Sequence, residues 1–547
     1  MNPKYLEITQ KGMSAQLAEL TLDEMVSYVR NYLHAFLLDD RVCAALIQRL
    51  GSDQQVHAHP AAARCLRYLL DKAIKMRPFR PGVLDAAAKL APTPEVMERL
   101  EIINALNAAK ETFDLIIGLN LSEHADDVRQ FLAHLIHAHP SHVAAAQYAL
   151  YVDKGLGLPP GPWLKDFKCP RRLQPLWRAS LFDHHARLCD WESAMALWPT
   201  LDADRLDEVA LALAGDMFAA LGDAGQALAL YDKSIALDPV QTPVRLRRRE
   251  LASPFPVTPS LVAERKVAIL LYSWNKAEVL GRTLVSLSES DIGPADIHVL
   301  LNGCTDGSRE VVESLRPRFP HNALTVHALH VNIGAPAARN WLMNLPEVRA
   351  TDYIAFLDDD VLVQKDWLAR FLTVAESDPK VAVVGAKIIT PGAPPRLQYL
   401  YRHVAIADHE LLKMSLHAPL DTYDTGIYDV VRETRNVMGC QHLLRTSALD
   451  AAPAGFDIRF SPSQVDDIEH DLALCLAGHK VMYCGTVTCE HLQQSGVTLD
   501  SHAFNPSQVG NAVANDMKLY YKYFFDLPKL KKLDCLGMDV GFEPAGI

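Results

Sequence analysis

No run of apolar residues in this chain approaches the ~20 that a bilayer-crossing helix needs. The longest, such as KVAILLY from Lys266 to Tyr272, stop at strand length. The N-terminal stretch MNPKYLEITQKGMSAQ has no apolar core of the kind a secretory leader carries. Cysteine is sparse: ten in 547 residues, with no CxxC pair, and Cys440, Cys475 and Cys484 sit inside apolar patterns. That argues against a disulfide framework or a zinc site and fits reduced, buried thiols. Positive charge is in deficit, with a net charge of −12 and a pI near 6.0. A nucleic-acid partner needs a basic face, so none is expected. The one basic run, RLRRRE from Arg245 to Glu250, closes a helix-period segment, where cations complement the dipole. The expectation is a cytoplasmic protein with no transmembrane segment.

What is present falls into two contrasting patterns. Up to about residue 250 the apolar spacing is helical and rich in Ala and Leu, with no strand pattern. The unit GDMFAALGDAGQALALYDKSIALDP, Gly215 to Pro239, places Gly215, Gly222, Ala227, Tyr231 and Pro239 at tetratricopeptide spacing. Ala194 and Trp198 precede Ala227 and Tyr231 by 33 residues each, and Pro140 precedes Pro239 by 99, three such periods. Residues 1–250 are therefore expected to form an all-α helical-repeat domain, whose stacked pairs would offer a concave surface to a peptide or partner protein. Pro254, Pro256 and Pro259 cannot continue a helix, so 251–265 reads as a linker.

From Lys266 onward apolar strands alternate with amphipathic helices: KVAILLYSW, DIHVLLN, ALTVHALH, DYIAFL and KVAVVGAKII are the strands. That alternation predicts a mainly parallel sheet covered on both faces, with ligands beyond the carboxyl ends of its strands. One strand, YIAFLDDDVLV, runs directly into Asp358, Asp359 and Asp360. Three adjacent carboxylates repel one another unless a cation neutralises them. Besides a solvated acidic turn, the pattern therefore fits a cation arriving with a charged substrate.

Four further segments converge on the same edge: YSWNKAEVL, LLNGCTDGS, HVNIGAPAARN, and the late stretch SPSQVDDIEHDLALCLAGHKVMYCGTVTCEH. In this order and spacing, residues 266–500 resemble an inverting family-2-type glycosyltransferase of the GT-A fold, with FLDDDV standing for its DxD motif and DDIEHDLALCLAGHKV for its acidic pair before a helix. The resemblance implies a nucleotide-diphosphate sugar as donor and a divalent metal, Mn²⁺ or Mg²⁺, that neutralises the departing diphosphate. It makes Asp360 the first metal ligand, Asp358 a contact to ribose or metal, and His491 a residue that completes the metal site or touches the diphosphate. Donor contacts are expected from Tyr272, Asn275, Asn302, Arg339, Asp358 and Asp359. Inversion needs one general base, and Asp467 of the pair Asp466–Asp467 falls on that position; sliding the match nominates Glu469 or Asp471 instead, and helix-dipole complementarity is the competing account. One departure concerns the base: relatives commonly carry an acid directly before the Asn or Asp of the second turn, where this chain has Leu301 before Asn302.

The acceptor has no readable code. Pro391 to Val437 is expected to form acceptor-side loops, and 501–547 a helical extension whose aromatic face packs on the core, with association to a membrane surface as the lesser reading. The helical repeats suit recruitment of a protein acceptor, such as flagellin or another surface protein. A glycan or lipid-linked acceptor with the repeats serving a homo-oligomer, and a non-catalytic interaction protein, are the alternatives.

Overall fold

The computed structural model describes residues 13–404, 416, 418–419, 422–450, 455–492 and 506–533. Residues 1–12 of the N-terminal stretch, Cys535 and the end of the C-terminal extension lie outside the described residues. All nine cysteines among the described residues are free.

Helices fill the chain from Met13 to Ala252. Thr21 caps Leu22–Ala35 with a full capping box, and Asp207 and Asp223 cap the two helices of the repeat-like unit. Those two helices, Glu208–Ala220 and Ala224–Leu237, pack closely because Gly215 faces Tyr231: a Cβ there would lie 2.5 Å from the ring. The Tyr231 hydroxyl donates to Asp216 at 2.7 Å, so this buried ring keeps its polar end satisfied.

The remainder builds one sheet. Its strands are β1 (Val267–Ser273), β2 (Asp296–Asn302), β3 (Leu324–Leu329), β4 (Tyr353–Asp358), β5 (Val361–Leu362), β6 (Val381–Thr390), β7 (Arg396–Tyr399), β8 (Val431–Thr434), β9 (Gln441–Arg445) and β10 (Lys480–His491). The order is β3-β2-β1-β4-β9-β6-β10-β5, with β7 on β6 and β8 on β10. β1 lies parallel to β2 and β4, β2 to β3, and β6 to β10. β9, however, inserts antiparallel between β4 and β6, and β5, β7 and β8 also run antiparallel to their partners. The β3-β2-β1-β4 half is parallel as expected, and the sheet becomes mixed beyond it. The register places Tyr272 opposite Asp358 and His491 opposite Val361, so pairing alone carries three sequence-distant segments to one edge.

The helical region and the sheet share a continuous apolar core that takes in Leu33 and Phe36 as well as Leu397, Tyr401, Ile427 and Tyr428. Polar ties cross the junction. The Tyr401 hydroxyl donates to Ala35 O at 2.6 Å, Leu37 N to the Tyr428 hydroxyl at 3.1 Å, and the Thr425 hydroxyl to Asp216 Oδ2 at 2.7 Å. Buried Lys387 on β6 pairs with Asp424 and Asp429. The described part of 391–437, expected as acceptor-side loops, therefore seats the helical region, because its aromatic and apolar side chains are buried there.

Candidate active site

Asp358 ends β4, and Asp359 and Asp360 follow before β5. Successive side chains of an extended chain point to opposite sides. The outer two of the triplet accordingly share a cluster with His491, their ligand atoms all within 4.8 Å of one another. Asp359, expected among the donor contacts, turns inward instead: the Ser273 hydroxyl donates to it at 2.6 Å and Lys276 Nζ at 3.1 Å. Burial pushes the Asp359 carboxyl up to about 6. Burial acts the same way on Asp360, but the bonds from His491 and Lys276 outweigh it and hold that carboxyl below its ordinary value.

His491 Nε2 stands 2.9 Å from Asp360 Oδ1. Adjacent donors on an octahedral ion bound at about 2.1 Å are roughly 3.0 Å apart, so this spacing suits two neighbouring ligands of one ion. Two carboxylates and an imidazole are oxygen and nitrogen donors acceptable to Mn²⁺ or Mg²⁺. The residues present fit a divalent cation. Lys276, at 2.8 Å from Asp360 Oδ2, supplies further positive charge at the same carboxylate.

Arg339, expected as diphosphate charge, is only 5% exposed. Nη1 donates to Asp466 Oδ2 at 2.7 Å, and Nη2 reaches Asp358 Oδ1 at 3.4 Å and Gly439 O at 3.3 Å. Its guanidinium is spent on carboxylates and backbone and braces the two acidic segments against each other. Asn302, expected to read a base, is also committed. Its Oδ1 accepts from Ile333 N at 3.0 Å and its Nδ2 donates to Asn332 Oδ1 at 2.9 Å, which folds the third loop against the second. Asn275 adopts a left-handed backbone, φ 53°, and accepts from Thr305 N at 2.8 Å. Tyr272 donates to Asp358 Oδ1 at 3.2 Å.

The helix Asp466–Leu476 begins with the second acidic group. Burial raises Asp466 to about 6 even against Arg339. Asp467 is half-buried, with Oδ2 accepting from Gly439 N at 3.1 Å and Oδ1 from Ile468 N at 2.9 Å. The other nominees sink into the protein: Glu469 accepts from the Tyr523 hydroxyl at 2.7 Å, and Asp471 from Asn436 Nδ2 at 2.8 Å and Val437 N at 3.1 Å. Before the helix, Gln464 and Val465 are both left-handed, with φ of 75° and 72°. Strain of this kind persists only where surrounding structure over-determines it. Here Asn515 does so from the helix Pro506–Lys522, its Nδ2 donating to the carbonyls of Phe460, Ser463 and Gln464.

Lys276, Gly439 and Asn515 thus join the site without having been singled out from sequence, whereas Asp466 was named there only as the partner of Asp467. Lys276 and Asp466 lay inside quoted motifs; Gly439 and Asn515 carried no local signal.

Residues 264–501 match the family model described as "Glycosyltransferase like family 2". Over this region the chain is similar to family-2-type glycosyltransferases. Among curated proteins, the succinoglycan biosynthesis protein ExoM of Rhizobium meliloti (strain 1021) is 28% identical over 207 residues, covering 38% of this chain and 59% of the relative. The uncharacterized glycosyltransferase YfnE of Bacillus subtilis (strain 168) is 28% identical over 121 residues, covering 22% of this chain and 29% of its own length. The chain thus spans about three fifths and under a third of these two relatives. Among solved structures, the mannosyltransferase PcManGT from Pyrobaculum calidifontis, in complex with GDP-Man and Mn²⁺, shows a TM-score of 0.33 at 17% identity, over 61% of this chain and 88% of that one. GalNAc-T7 with UDP, GalNAc and Mn²⁺ gives a TM-score of 0.37 at 12% identity, over 50% and 52%. Both likenesses are too distant to carry a substrate across.

Proposed function

We propose that this chain is a metal-dependent, inverting glycosyltransferase that moves a sugar from a nucleotide-diphosphate donor to an acceptor hydroxyl. The observation that carries the reading is the joining of two acidic centres at one sheet edge: Asp358, Asp360 and His491 on one side, Asp467 on the other, braced by Arg339 between Asp358 and Asp466. A divalent ion held by Asp358, Asp360 and His491 would supply Lewis-acid neutralisation of the leaving diphosphate. Lys276 adds charge on the same side, and Tyr272 orients Asp358.

Asp467 is the general base. It is the carboxylate of the Asp466–Leu476 helix whose environment leaves it partly exposed, while Asp466, Glu469 and Asp471 are buried and bonded inward. Backbone donors from Gly439 and Ile468 orient its carboxylate, the group that would take the hydroxyl proton. Asp467→Asn is expected to lower transfer by about 10²–10⁴-fold while nucleotide binding persists. Thermal shifts with UDP, GDP, dTDP and CDP, each with and without Mn²⁺, measure that binding and name the base. Normal transfer by the variant would remove Asp467 from the role; no metal-dependent shift with any nucleotide would remove the donor site.

For the acceptor we infer a protein or peptide recruited by the helical region. A cavity of about 1000 Å³ lies among its helices, lined by Arg67, Ile74, Lys75, Arg178 and Leu206 among others. It is a concave surface of the kind expected for repeats.

A further inference from the structure

We propose that Gln398 is the positioning residue for His491, and that the helical region holds Gln398 in place. The inference rests on the metal-site reading above and adds a determinant of metal affinity outside the ligand set.

Along the β6–β7 pair, Tyr399 stands opposite Ile388 and Leu397 opposite Ile389. One step on β6 is thus matched by two on β7, and Gln398 is the extra residue. A bulge of this type leaves its residue unpaired and re-aims the side chain. The re-aimed amide meets His491, with Oε1 3.0 Å from Nδ1. An amide oxygen only accepts, so with an ion held at the cluster this bond fixes the ring hydrogen on Nδ1 and leaves the Nε2 lone pair to the ion beside Asp358 and Asp360. Ligating histidines are commonly fixed in tautomer and ring orientation by such a partner.

The bulge is pinned beside it from outside the sheet. Arg396 Nη2 donates to Gly155 O of the helical region at 2.5 Å and to the Tyr423 hydroxyl at 2.9 Å; that hydroxyl in turn donates to Lys154 O at 2.8 Å. Leu397 is buried and, with Phe36 and Leu213 of the helical region, lines a void of about 440 Å³ at the junction. Three consecutive residues therefore connect the helical region to the imidazole. The helical region sets metal affinity as well as offering a surface to an acceptor.

The test uses the full chain and Mn²⁺ alone, with uptake followed by the electron paramagnetic resonance signal of free Mn²⁺. Gln398→Leu should weaken Mn²⁺ binding by about 10–100-fold, the usual effect of removing a ligand's hydrogen-bond partner. Gln398→Glu, which still accepts from Nδ1, should stay within about threefold of wild type. Arg396→Ala should weaken binding in the same direction by a smaller factor. Melting temperatures in EDTA identify any variant that has lost its fold, and Gln398→Glu and Arg396→Ala keep the test decisive if Gln398→Leu has. Wild-type uptake with equal uptake by Gln398→Leu, or loss of binding by Gln398→Glu in a folded protein, would overturn the positioning role. An unchanged constant in Arg396→Ala would overturn the link to the helical region. Absence of Mn²⁺ uptake by the wild type would instead overturn the metal-site reading itself.

Discussion

Replacing Arg339 by Met probes the brace between the acidic segments. In the wild type, burial already raises Asp466 to about 6 from 3.8, with Arg339 working against that rise. Ionising this carboxyl in the folded protein is therefore disfavoured. Without the guanidinium the value climbs further. Losing one partner of a buried pair costs about 3–5 kcal/mol, felt in full only where the stranded carboxyl must ionise. A carboxyl whose folded value is raised lends stability below its unfolded value and loses it as pH rises through the folded value. The deficit of Arg339→Met should therefore be small near pH 5 and approach about 3–5 kcal/mol near pH 8. Urea unfolding in EDTA at several pH values reads it directly, and adding Asp466→Asn should recover much of the loss at high pH. A deficit that is flat with pH, or that the second substitution deepens, would refute the electrostatic account of the brace.

Asp360→Ala should abolish Mn²⁺-dependent nucleotide binding in the thermal-shift panel, because Asp360 joins both His491 and Lys276. Asp216, buried and raised to about 7, accepts from the Tyr231 hydroxyl of the neighbouring helix and from the Thr425 hydroxyl across the junction. Its contribution is present at low pH and lost as pH rises through about 7, so Asp216→Asn should gain stability relative to wild type above neutrality, as melting curves across pH would show. Gly215→Ala forces a methyl against the Tyr231 ring and should destabilise by about 1–3 kcal/mol in denaturant unfolding.

The alternation from Lys266 to Ile389 announced β1 to β4 and β6 because each is a mostly apolar run at least six residues long. β7, β8 and β9 span only four or five residues and carry His, Gln or Arg within them, so no period betrayed them. The acidic triplet stood out because consecutive carboxylates at a strand end demand an explanation on chemical grounds, and His491 was nominated only by its place in the order of motifs. The roles of Arg339, Asn302 and Asp359 were not. Each residue type suits a substrate, and only the fold shows that Asp466, Ile333 and Ser273 claim them first. Gln398 and Asn515 act on partners 93 and about 50 residues away, beyond any local pattern.

The shared core at the junction has a consequence for how such a protein is inherited. A chain cut at the proline-rich segment would bare Tyr401, Ile427 and Tyr428 on one piece and Leu33 and Phe36 on the other. Exposed apolar surface of that extent invites aggregation. Recombination at this linker would leave each half with that surface bare, which works against exchanging the helical region and the sheet region separately.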